Sequence, residues 1–326
     1  MPSIRAAEDL EIHYITAGHG EPVVCVHGNW GSSRWFTPLL ERLPAGLQAH
    51  AIDLRGRGDT RGPDDDYSLP ALARDLRAFL DAMGLASAHL VGHSLGAGVI
   101  LQLALDAPQV VRSLLCLAPP WIEGMPHHDA VADYQRRMHE DRALLSGAVG
   151  MLFAVPPDPD YFAALIDDAT RQRLTATLAT VTALEDWRPG ATLSTITAPR
   201  RVLSGTRDAL ITPEHAAACA AALGCPLDLL PDIGHALIPE APPGQRWPGL
   251  AAGLGVISFT GPQGRGLMKG GHDDITANTM VCIEARQRCV VILSNDVRAE
   301  AAFPTLVEAL LGPTGFAWQW EYPPRH

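Results

Sequence analysis

Positive charge is scarce in this sequence. Its 326 residues include 25 lysines and arginines against 36 aspartates and glutamates, which gives a formal net charge of −11. A nucleic-acid partner is therefore not expected, because binding phosphates needs a basic stripe that this chain lacks. Apolar runs are short: none reaches the ~20 residues that span a membrane, and residues 1–5 do not begin a signal peptide. We expect a cytoplasmic protein without a membrane partner.

Lysine is almost absent, and short cysteine motifs are missing. Lys269 is the only lysine, so every other long basic side chain is an arginine. The six cysteines include no C-x-x-C pair, which leaves metal and redox roles unsupported. Cys25 and Cys116 lie in apolar runs and are most simply small core residues. In His272-Asp273-Asp274 three adjacent side chains cannot all converge on one ion, so neither a metal nor a cofactor is expected.

Strand and helix signals alternate over the first 230 residues, except between about residues 121 and 193. The composition, 47% hydrophobic and 19% charged, is that of an ordinary globular protein. At this length the chain can bury a large core, in one long domain or two shorter ones. Short apolar runs typical of buried parallel strands occupy residues 22–26, 49–52, 88–91, 111–117, 200–204 and 227–230. Such alternation predicts right-handed βαβ units and a mostly parallel sheet.

A G-x-S-x-G pentapeptide, Gly92-His93-Ser94-Leu95-Gly96, lies between the strand at 88–91 and a predicted helix at 97–105. On so tight a turn the serine Oγ is pushed out over the sheet edge, at the positive end of the helix. Gly92 and Gly96 remove side chains that would clash in the turn. The pentapeptide alone is common, and the flanking strand and helix are what favour a nucleophile elbow.

Asp208 and His235 supply the rest of a catalytic triad. Asp208 follows the strand at 200–204, and His235 follows the strand at 227–230. His235 would activate the Ser94 hydroxyl as a base, and Asp208 would fix the tautomer of the histidine. Each has a simpler interpretation. The alternative for His235 is a loop histidine whose ring is hydrogen-bonded locally, and the alternative for Asp208 is an aspartate that forms a turn or caps a helix.

Two backbone N–H groups are expected to form an oxyanion hole. One belongs to Leu95, directly after the nucleophile, and the other to Asn29, directly after His27-Gly28. Four residues near these elements are candidate substrate-binding residues: Trp30, Trp35, His93 and Trp121. Core packing is an equal alternative for the first two tryptophans, and the histidine is expected to pack beneath the elbow without taking part in the chemistry.

The strand pattern stops between about residues 121 and 193. Helix formers dominate this stretch, and its apolar residues predict several amphipathic helices. The insertion begins at the C-terminal end of a strand, and open α/β sheets bind their ligands at that end of the strands. We therefore expect a helical cap over the active site, with an insertion that packs for stability alone as the alternative.

These landmarks resemble the α/β-hydrolase family over about residues 1–243. The matched features are the His27-Gly28 turn, the elbow at Ser94, Gly-x-x-Asp at 205–208, Gly-His at 234–235 and Glu240-Ala241-Pro242. The chain order Ser…Asp…His is the one used by that fold. The resemblance implies an α/β fold with a mostly parallel eight-stranded sheet and a helical cap.

The same resemblance implies a serine hydrolase that cleaves a carboxylic ester, lactone or thioester through an acyl-enzyme. The hydrophobic cap favours a small-molecule substrate with a largely apolar acyl group. Two alternatives stay open: a non-hydrolytic acyltransferase or cyclase of secondary metabolism that uses the same triad, and a binding protein with a vestigial triad. None of the three triad residues is missing, which argues against the second alternative.

The sequence pattern changes beyond residue 243. Residues 244–252 resemble a linker, and strand patterns follow at 253–259, 279–284 and 289–294 before a helix with apolar residues between 303 and 311. A hairpin turn is predicted at Arg286-Gln287, and residues 269–274 are predicted to be a loop. These features predict a small antiparallel α+β appendage of three strands over residues 253–326.

About residues 250–320 resemble the C-terminal end of the serine β-lactamase and DD-peptidase family. The resemblance rests on Gly253-Leu254-Gly255 and on Lys269-Gly270-Gly271, which stand where that family has its K-T-G or H-G-G strand, followed by the hairpin and the closing helix. That family's nucleophile lies in S-x-x-K, but Gly266 stands three residues before the only lysine. We therefore expect a non-catalytic fragment that packs against the hydrolase domain or forms a homodimer with a second copy.

Overall fold

The chain divides into two compact units, residues 1–241 and residues 242–326. This computed structural model describes residues 2–128, 130–240, 250–253, 256–272, 277–294, 297–316 and 318. Residues 244–249 of the expected linker and residues 273–274 of the expected loop lie outside the described residues. Across the described ranges, no helix is both long enough and apolar enough to cross a membrane.

The first unit is built on one eight-stranded sheet. Its strands are β1 Ser3–Ala7, β2 Leu10–Gly18, β3 Gly20–Val26, β4 Gly46–Ile52, β5 Ala88–His93, β6 Val111–Leu117, β7 Arg200–Gly205 and β8 Leu227–Leu230. They lie in the order β1-β2-β4-β3-β5-β6-β7-β8, in which β3 to β8 pair in parallel. The antiparallel strands β1 and β2 form one edge. The α/β fold with a mostly parallel eight-stranded sheet, predicted from the sequence, is confirmed.

Helices cover both faces of this sheet. They are α1 Thr37–Leu40, α2 Leu69–Ala82, α3 Leu95–Asp106, α4 Ala130–Glu140, α5 Arg142–Gly150, α6 Pro159–Thr170, α7 Leu174–Asp186, α8 Pro213–Leu223 and α9 Leu237–Glu240, with 3-10 turns at Ser33–Phe36, Pro108–Val110 and Gly190–Thr195. Val24 and Leu90 face a core shared with α2, α3 and α8. Val23 and Val91 point the other way, toward Trp35 and α9. Burial of both faces explains why these parallel strands are continuous apolar runs.

The helices α4 to α7 form the insertion between β6 and β7. Their own apolar core closes around Trp30, which comes from the loop after β3, and its other buried members are Met138, Leu145, Val149, Ile166 and Ala169. The insertion therefore packs on the loop that follows β3.

The second unit contains a five-stranded antiparallel sheet in the order β13-β12-β11-β10-β9. Its strands are β9 Leu250–Gly253, β10 Val256–Gly261, β11 Gly264–His272, β12 Ala277–Ile283 and β13 Arg288–Ser294; the helix α10 Phe303–Leu311 follows, and 3-10 turns lie at Glu284–Arg286 and Val297–Ala302. The sequence pattern predicts three strands and a loop over residues 269–274. Lys269 instead lies within β11, paired with Met280.

The residue pattern does not predict strand β11, because the strand is rich in glycine, which weakens a strand signal. Only the β-lactamase resemblance places Lys269-Gly270-Gly271 at a strand. The glycine at 266 has a packing role. A Cβ added to Gly266 would lie 2.3 Å from the ring of Phe259, so only glycine leaves room for that phenylalanine. Phe259 and the buried face of the sheet pack against α10, through Phe303 and Val307. Pro304 lies in the first turn of α10, where its missing N–H costs nothing.

A disulfide joins Cys282 to Cys289, although the absence of C-x-x-C spacing predicts no such role for them. These two residues face each other across the β12–β13 hairpin. The register of the hairpin brings them together, and the search for C-x-x-C spacing could not detect that pairing.

The close packing of α3 on β3 gives a test of the fold. A Cβ added to Gly96, in the first turn of α3, would lie 2.1 Å from the carbonyl oxygen of Val26, whereas a Cβ added to the exposed Gly147 of α5 would meet nothing within 4 Å. We expect Gly96→Ala to lower the free energy of unfolding by about 3 kcal/mol, because the helix must move off the strand. Gly147→Ala, the matched control, should raise it by about 1 kcal/mol. Urea denaturation of both variants checks this, and equal stabilities would contradict it.

Candidate active site

Ser94 is the single residue between the end of β5 and the start of α3. Its backbone has φ 52° and ψ −119°, a conformation that non-glycine residues rarely adopt and that costs on the order of 1–3 kcal/mol. Backbone hydrogen bonds hold it there: its N–H donates to the Leu117 carbonyl at 2.9 Å, and its own carbonyl accepts from Ala97 at 2.9 Å. The tight turn predicted from the pentapeptide is therefore present, and it is strained at the serine.

The loop after β3 lies directly against this turn. A Cβ added to Gly28 would lie 3.0 Å from the Cβ of Ser94, so the glycine permits the approach. Asn29 follows, and its backbone N–H donates no hydrogen bond within the described part of the chain. The same holds for the N–H of Leu95, the first residue of α3, where helices leave donors without an internal acceptor. Two unused donors thus flank Ser94.

His27 fixes the shape of that loop. Its Nε2 accepts from the N–H of Leu54 at 3.1 Å, so its proton must lie on Nδ1, which donates to the Gly28 carbonyl at 2.7 Å. Burial lowers the pKa of His27 to about 4, which keeps the ring neutral near pH 7. A neutral ring with one donor and one acceptor satisfies both backbone groups.

His235 and Asp208, which the sequence predicts as two members of a triad, are hydrogen-bonded to each other. The Nδ1–H of His235 donates to Oδ2 of Asp208 at 2.8 Å, and both residues are 3% exposed. The other oxygen of Asp208 accepts from the N–H groups of Leu210 at 2.9 Å and Ile211 at 2.8 Å. The aspartate therefore does both things that the sequence analysis considered, forming a turn with one oxygen and orienting the histidine with the other. With its proton on Nδ1, His235 keeps a lone pair on Nε2.

His93 connects His235 to the elbow. Its Nε2–H donates to the backbone carbonyl of His235 at 2.8 Å, and the two rings lie 4.8 Å apart. The other face of the His93 ring stacks on Trp35 at 5.5 Å. Burial, with His235 beside it, lowers the pKa of His93 well below its usual value. His93 is 2% exposed, and its contacts place His235 against the residue that precedes Ser94.

The three tryptophans considered as substrate residues lie in different places. Trp30, 8% exposed, donates its indole N–H to Gln135 of α4 at 2.8 Å. Trp35 packs between His93 and Phe153, and its ring lies 5.9 Å from the phenylalanine. Trp121 is half-buried and meets His215 edge to face at 5.8 Å. Of the four candidates, the structure brings together Trp35 and His93.

Glu240 is a buried carboxylate that the sequence analysis did not place at the site. One of its oxygens accepts from the N–H of Gly234 at 2.9 Å and the other accepts from Ala154 at 3.0 Å. A Cβ added to Gly234 would lie 2.8 Å from that carboxylate, so the glycine is needed for the contact. Glu240 thereby ties the residue before His235 to the insertion. The sequence does contain it as part of the matched Glu240-Ala241-Pro242, but nothing in that pattern indicates that the carboxylate accepts from two backbone N–H groups.

A surface groove of about 610 Å³ lies elsewhere on the first unit, lined by Ser3, Glu11, His13, Gly58, Asp59, Thr60, Arg61 and Arg173. None of the expected site residues belongs to its lining. The ring of His13, one of the lining residues, forms a hydrogen bond with Asp53 at 2.7 Å, and this hydrogen bond raises the pKa of His13. In the portion of the chain that the structure describes, no group of three or more histidines, cysteines and carboxylates could hold a metal ion.

The neutral buried histidines predict how stability depends on pH. The pKa of His27 is about 4 in the folded protein and about 6.5 when unfolded, so between these values the unfolded chain binds more protons. The free energy of unfolding should therefore fall as the pH is lowered through this window, by about 2 kcal/mol between pH 7 and pH 5 from His27 alone. The lowered pKa of His93 acts in the same direction, and the raised pKa of His13 opposes it.

Urea denaturation at pH 7, 6 and 5 measures this slope. His27→Gln should flatten it, because glutamine does not titrate. His19→Gln, which changes an exposed histidine, serves as the control and should leave the slope as it is in the wild type. A wild-type free energy of unfolding that stays constant over this range would contradict the expectation.

Comparison with known proteins gives the family. The model of the alpha/beta hydrolase family matches residues 23–245. The dihydrolipoyllysine-residue acetyltransferase component of the acetoin cleaving system of Cupriavidus necator is 29% identical over 240 residues, 70% of this chain and 62% of that protein. The N-formylmaleamate deformylase of Pseudomonas putida is 34% identical over 117 residues, 35% of this chain and 44% of that enzyme. This chain thus spans less than two thirds of the length of either relative.

Among solved structures, an esterase from Exiguobacterium antarcticum superposes with a TM-score of 0.65 and 23% identity, over 72% of this chain and 92% of the esterase. This likeness supports the fold. The family match stops at residue 245. The resemblance of about residues 250–320 to serine β-lactamases remains a prediction. The family model covers more than half of the chain, and the chain belongs to the alpha/beta hydrolase family of enzymes.

Proposed function

We propose that this enzyme is a serine hydrolase that cleaves a carboxylic ester, lactone or thioester through an acyl-enzyme on Ser94. The observation that carries the proposal is the arrangement around the strained serine. The unused N–H of Leu95 follows it, Gly28 lies against it with Asn29 next in the chain, and His93, the residue before it, donates to the backbone carbonyl of His235.

The proposed reaction begins with attack of the Ser94 Oγ on the substrate carbonyl. His235 takes the serine proton on Nε2, and Asp208 stabilises the imidazolium that forms. The N–H groups of Asn29 and Leu95 donate to the oxyanion of the tetrahedral intermediate. His235 then returns the proton to the leaving group, and water attacks the acyl-enzyme by the same steps.

Electrostatics support this assignment of roles. The oxyanion would form at the N-terminus of α3, where the helix dipole favours negative charge. Loss of one oxyanion donor typically lowers the rate by ~10²–10³-fold. The pair of N–H groups, including the one of Leu95 that the turn geometry leaves unused, is therefore almost as important to the proposed chemistry as the triad.

The proposed substrate is a small molecule with a largely apolar acyl group. Apolar side chains on and beside the insertion support this, since Phe153, Phe162 and Leu152 pack near Trp35 and Trp30. The net charge of −11 supports the proposal that neither nucleic acid nor a membrane is a partner. A cytoplasmic location belongs to the same proposal.

An acyltransferase is the second candidate. The Cupriavidus necator relative is named an acetyltransferase component, and it is similar over 70% of this chain. The same acyl-enzyme would serve, with an alcohol, thiol or amine in place of water as the acceptor. Product analysis with and without added acceptor separates the two.

We propose that the second unit is non-catalytic and joins two copies of the chain. Its sheet has one apolar face covered by α10, while Leu267, Val291 and Leu293 on the opposite face are 41%, 59% and 79% exposed. Sedimentation should give a dimer for the wild type and a monomer for Leu293→Glu. Leu229→Glu, at an exposed leucine of β8 that is 42% exposed, should stay dimeric. A monomeric wild type would contradict the proposal.

Covalent labelling tests the proposed nucleophile. A fluorophosphonate probe should label the wild type at one residue, and Ser94→Ala should lose both the label and at least about 10³-fold of esterase activity. Ser194→Ala changes an exposed serine and should retain both. Aryl esters of increasing chain length then define the acyl preference. Wild-type protein that is folded but never labelled would contradict the assignment.

A further inference from the structure

Arg57 is a buried cation without a carboxylate partner. Its side chain is 1% exposed, and its guanidinium donates to three neutral acceptors: the Arg55 carbonyl at 3.2 Å, Asn29 Oδ1 at 3.0 Å and Thr180 Oγ1 at 2.5 Å. Its Nε is buried and has no acceptor within the described residues. The neighbouring Arg55 differs, since both oxygens of Asp75 bind it at 2.5 Å.

This arrangement is costly for the folded protein. Burial lowers the pKa of Arg57 to about 10, so the guanidinium keeps its charge near pH 7 while losing its hydration. A buried charge normally has a partner of opposite sign, because neutral hydrogen bonds replace only part of the lost solvation. No carboxylate of the described residues lies within 4.0 Å of this guanidinium to supply one.

The charge lies next to the proposed oxyanion hole. A guanidinium has only donors, so the atom 3.0 Å from Arg57 must be the carboxamide oxygen of Asn29. Gln172 donates to the same oxygen at 3.2 Å. Arg57 is thus one hydrogen bond away from the residue whose backbone N–H would bind the oxyanion. The guanidinium would lie within about 10 Å of that oxyanion.

The insertion closes over the other side of this network. Thr180 belongs to α7, and Gln172, which is 2% exposed, also donates to Thr177 of α7 at 2.8 Å. With core residues on one side and α7 on the other, water is kept away from the guanidinium. Water exclusion strengthens the field that a charge exerts on its surroundings.

We infer that Arg57 is a positioning residue whose uncompensated positive charge stabilises the oxyanion, an inference that rests on the proposed acyl-enzyme function. While the substrate carbonyl is neutral, the guanidinium has no negative partner. When Ser94 Oγ bonds to the carbonyl carbon and the electron pair moves to oxygen, that oxygen becomes the partner. Arg57 gives up no proton in this step. An interaction gained only in the transition state raises kcat and leaves KM unchanged.

Gln172 provides a matched control. Gln172 and Arg57 donate to the same oxygen of Asn29, but only Arg57 is charged. If Arg57 merely holds the asparagine, Arg57→Met and Gln172→Leu should have similar effects. If its charge acts on the oxyanion, Arg57→Met should lower kcat for p-nitrophenyl butyrate by about tenfold to fiftyfold with KM within twofold. Gln172→Leu should then lose less than threefold in kcat.

Arg57→Lys gives a readout that a purely structural role would not move. A lysine ammonium in the same buried place titrates at a pKa below its usual value. The variant should therefore keep kcat near that of the wild type at low pH and lose it as the pH rises through that pKa. The wild type, whose guanidinium has a pKa of about 10, should show no such decline at the lower pH where the lysine loses its charge. This profile is measurable even if Arg57→Met does not fold.

Labelling of the wild type by the fluorophosphonate probe comes first and separates the two proposals. A folded wild type that is neither labelled nor active would overturn the proposed function itself. With a labelled and active wild type, equal kcat for Arg57→Met and Gln172→Leu would overturn the role of Arg57. So would an Arg57→Lys enzyme whose pH profile matches that of the wild type.

Discussion

The contact between α3 and the end of β3 is the constraint on which the rest of the site depends. Because residue 96 is a glycine, α3 packs so close to β3 that only a hydrogen atom fits between the Cα of Gly96 and the carbonyl oxygen of Val26. That approach leaves one residue, Ser94, to reverse the chain between β5 and α3, and the reversal forces its strained backbone. The same closeness brings Gly28 against Ser94. The loop and the elbow therefore form one packed unit rather than two neighbouring turns.

Side chains, more than regular structure, hold the loops of this site in place. His27 bonds two backbone groups, His93 bonds the carbonyl of His235, and Glu240 accepts from Gly234 and Ala154. Each of these side chains is buried, so each hydrogen bond replaces one that water would otherwise make. The buried polar side chains of the unit therefore fix the positions of the loops at the ends of the strands.

The sequence predicted those parts of the molecule that repeat a simple pattern. Runs such as 22–26 and 111–117 indicated the parallel strands because they are buried on both faces, whereas the edge strand β1 alternates exposed and half-buried residues and was not singled out. The catalytic candidates could be placed because each follows a strand. Glu240 and Arg57 could not, since the burial of a charged residue depends on distant chain segments. The pairing of Cys282 with Cys289 does follow from the predicted hairpin, but only when its register is counted.

Trp30 has a mechanical consequence for the insertion. It is the residue after Asn29, it holds a left-handed backbone at φ 59°, and its ring is embedded among the side chains of α4, α5 and α6. These helices cannot open as an independent flap, because any outward movement pulls on Trp30 and through it on the adjacent peptide. Movement of these helices and the position of the Asn29 N–H, the proposed oxyanion donor, are thereby coupled through one side chain.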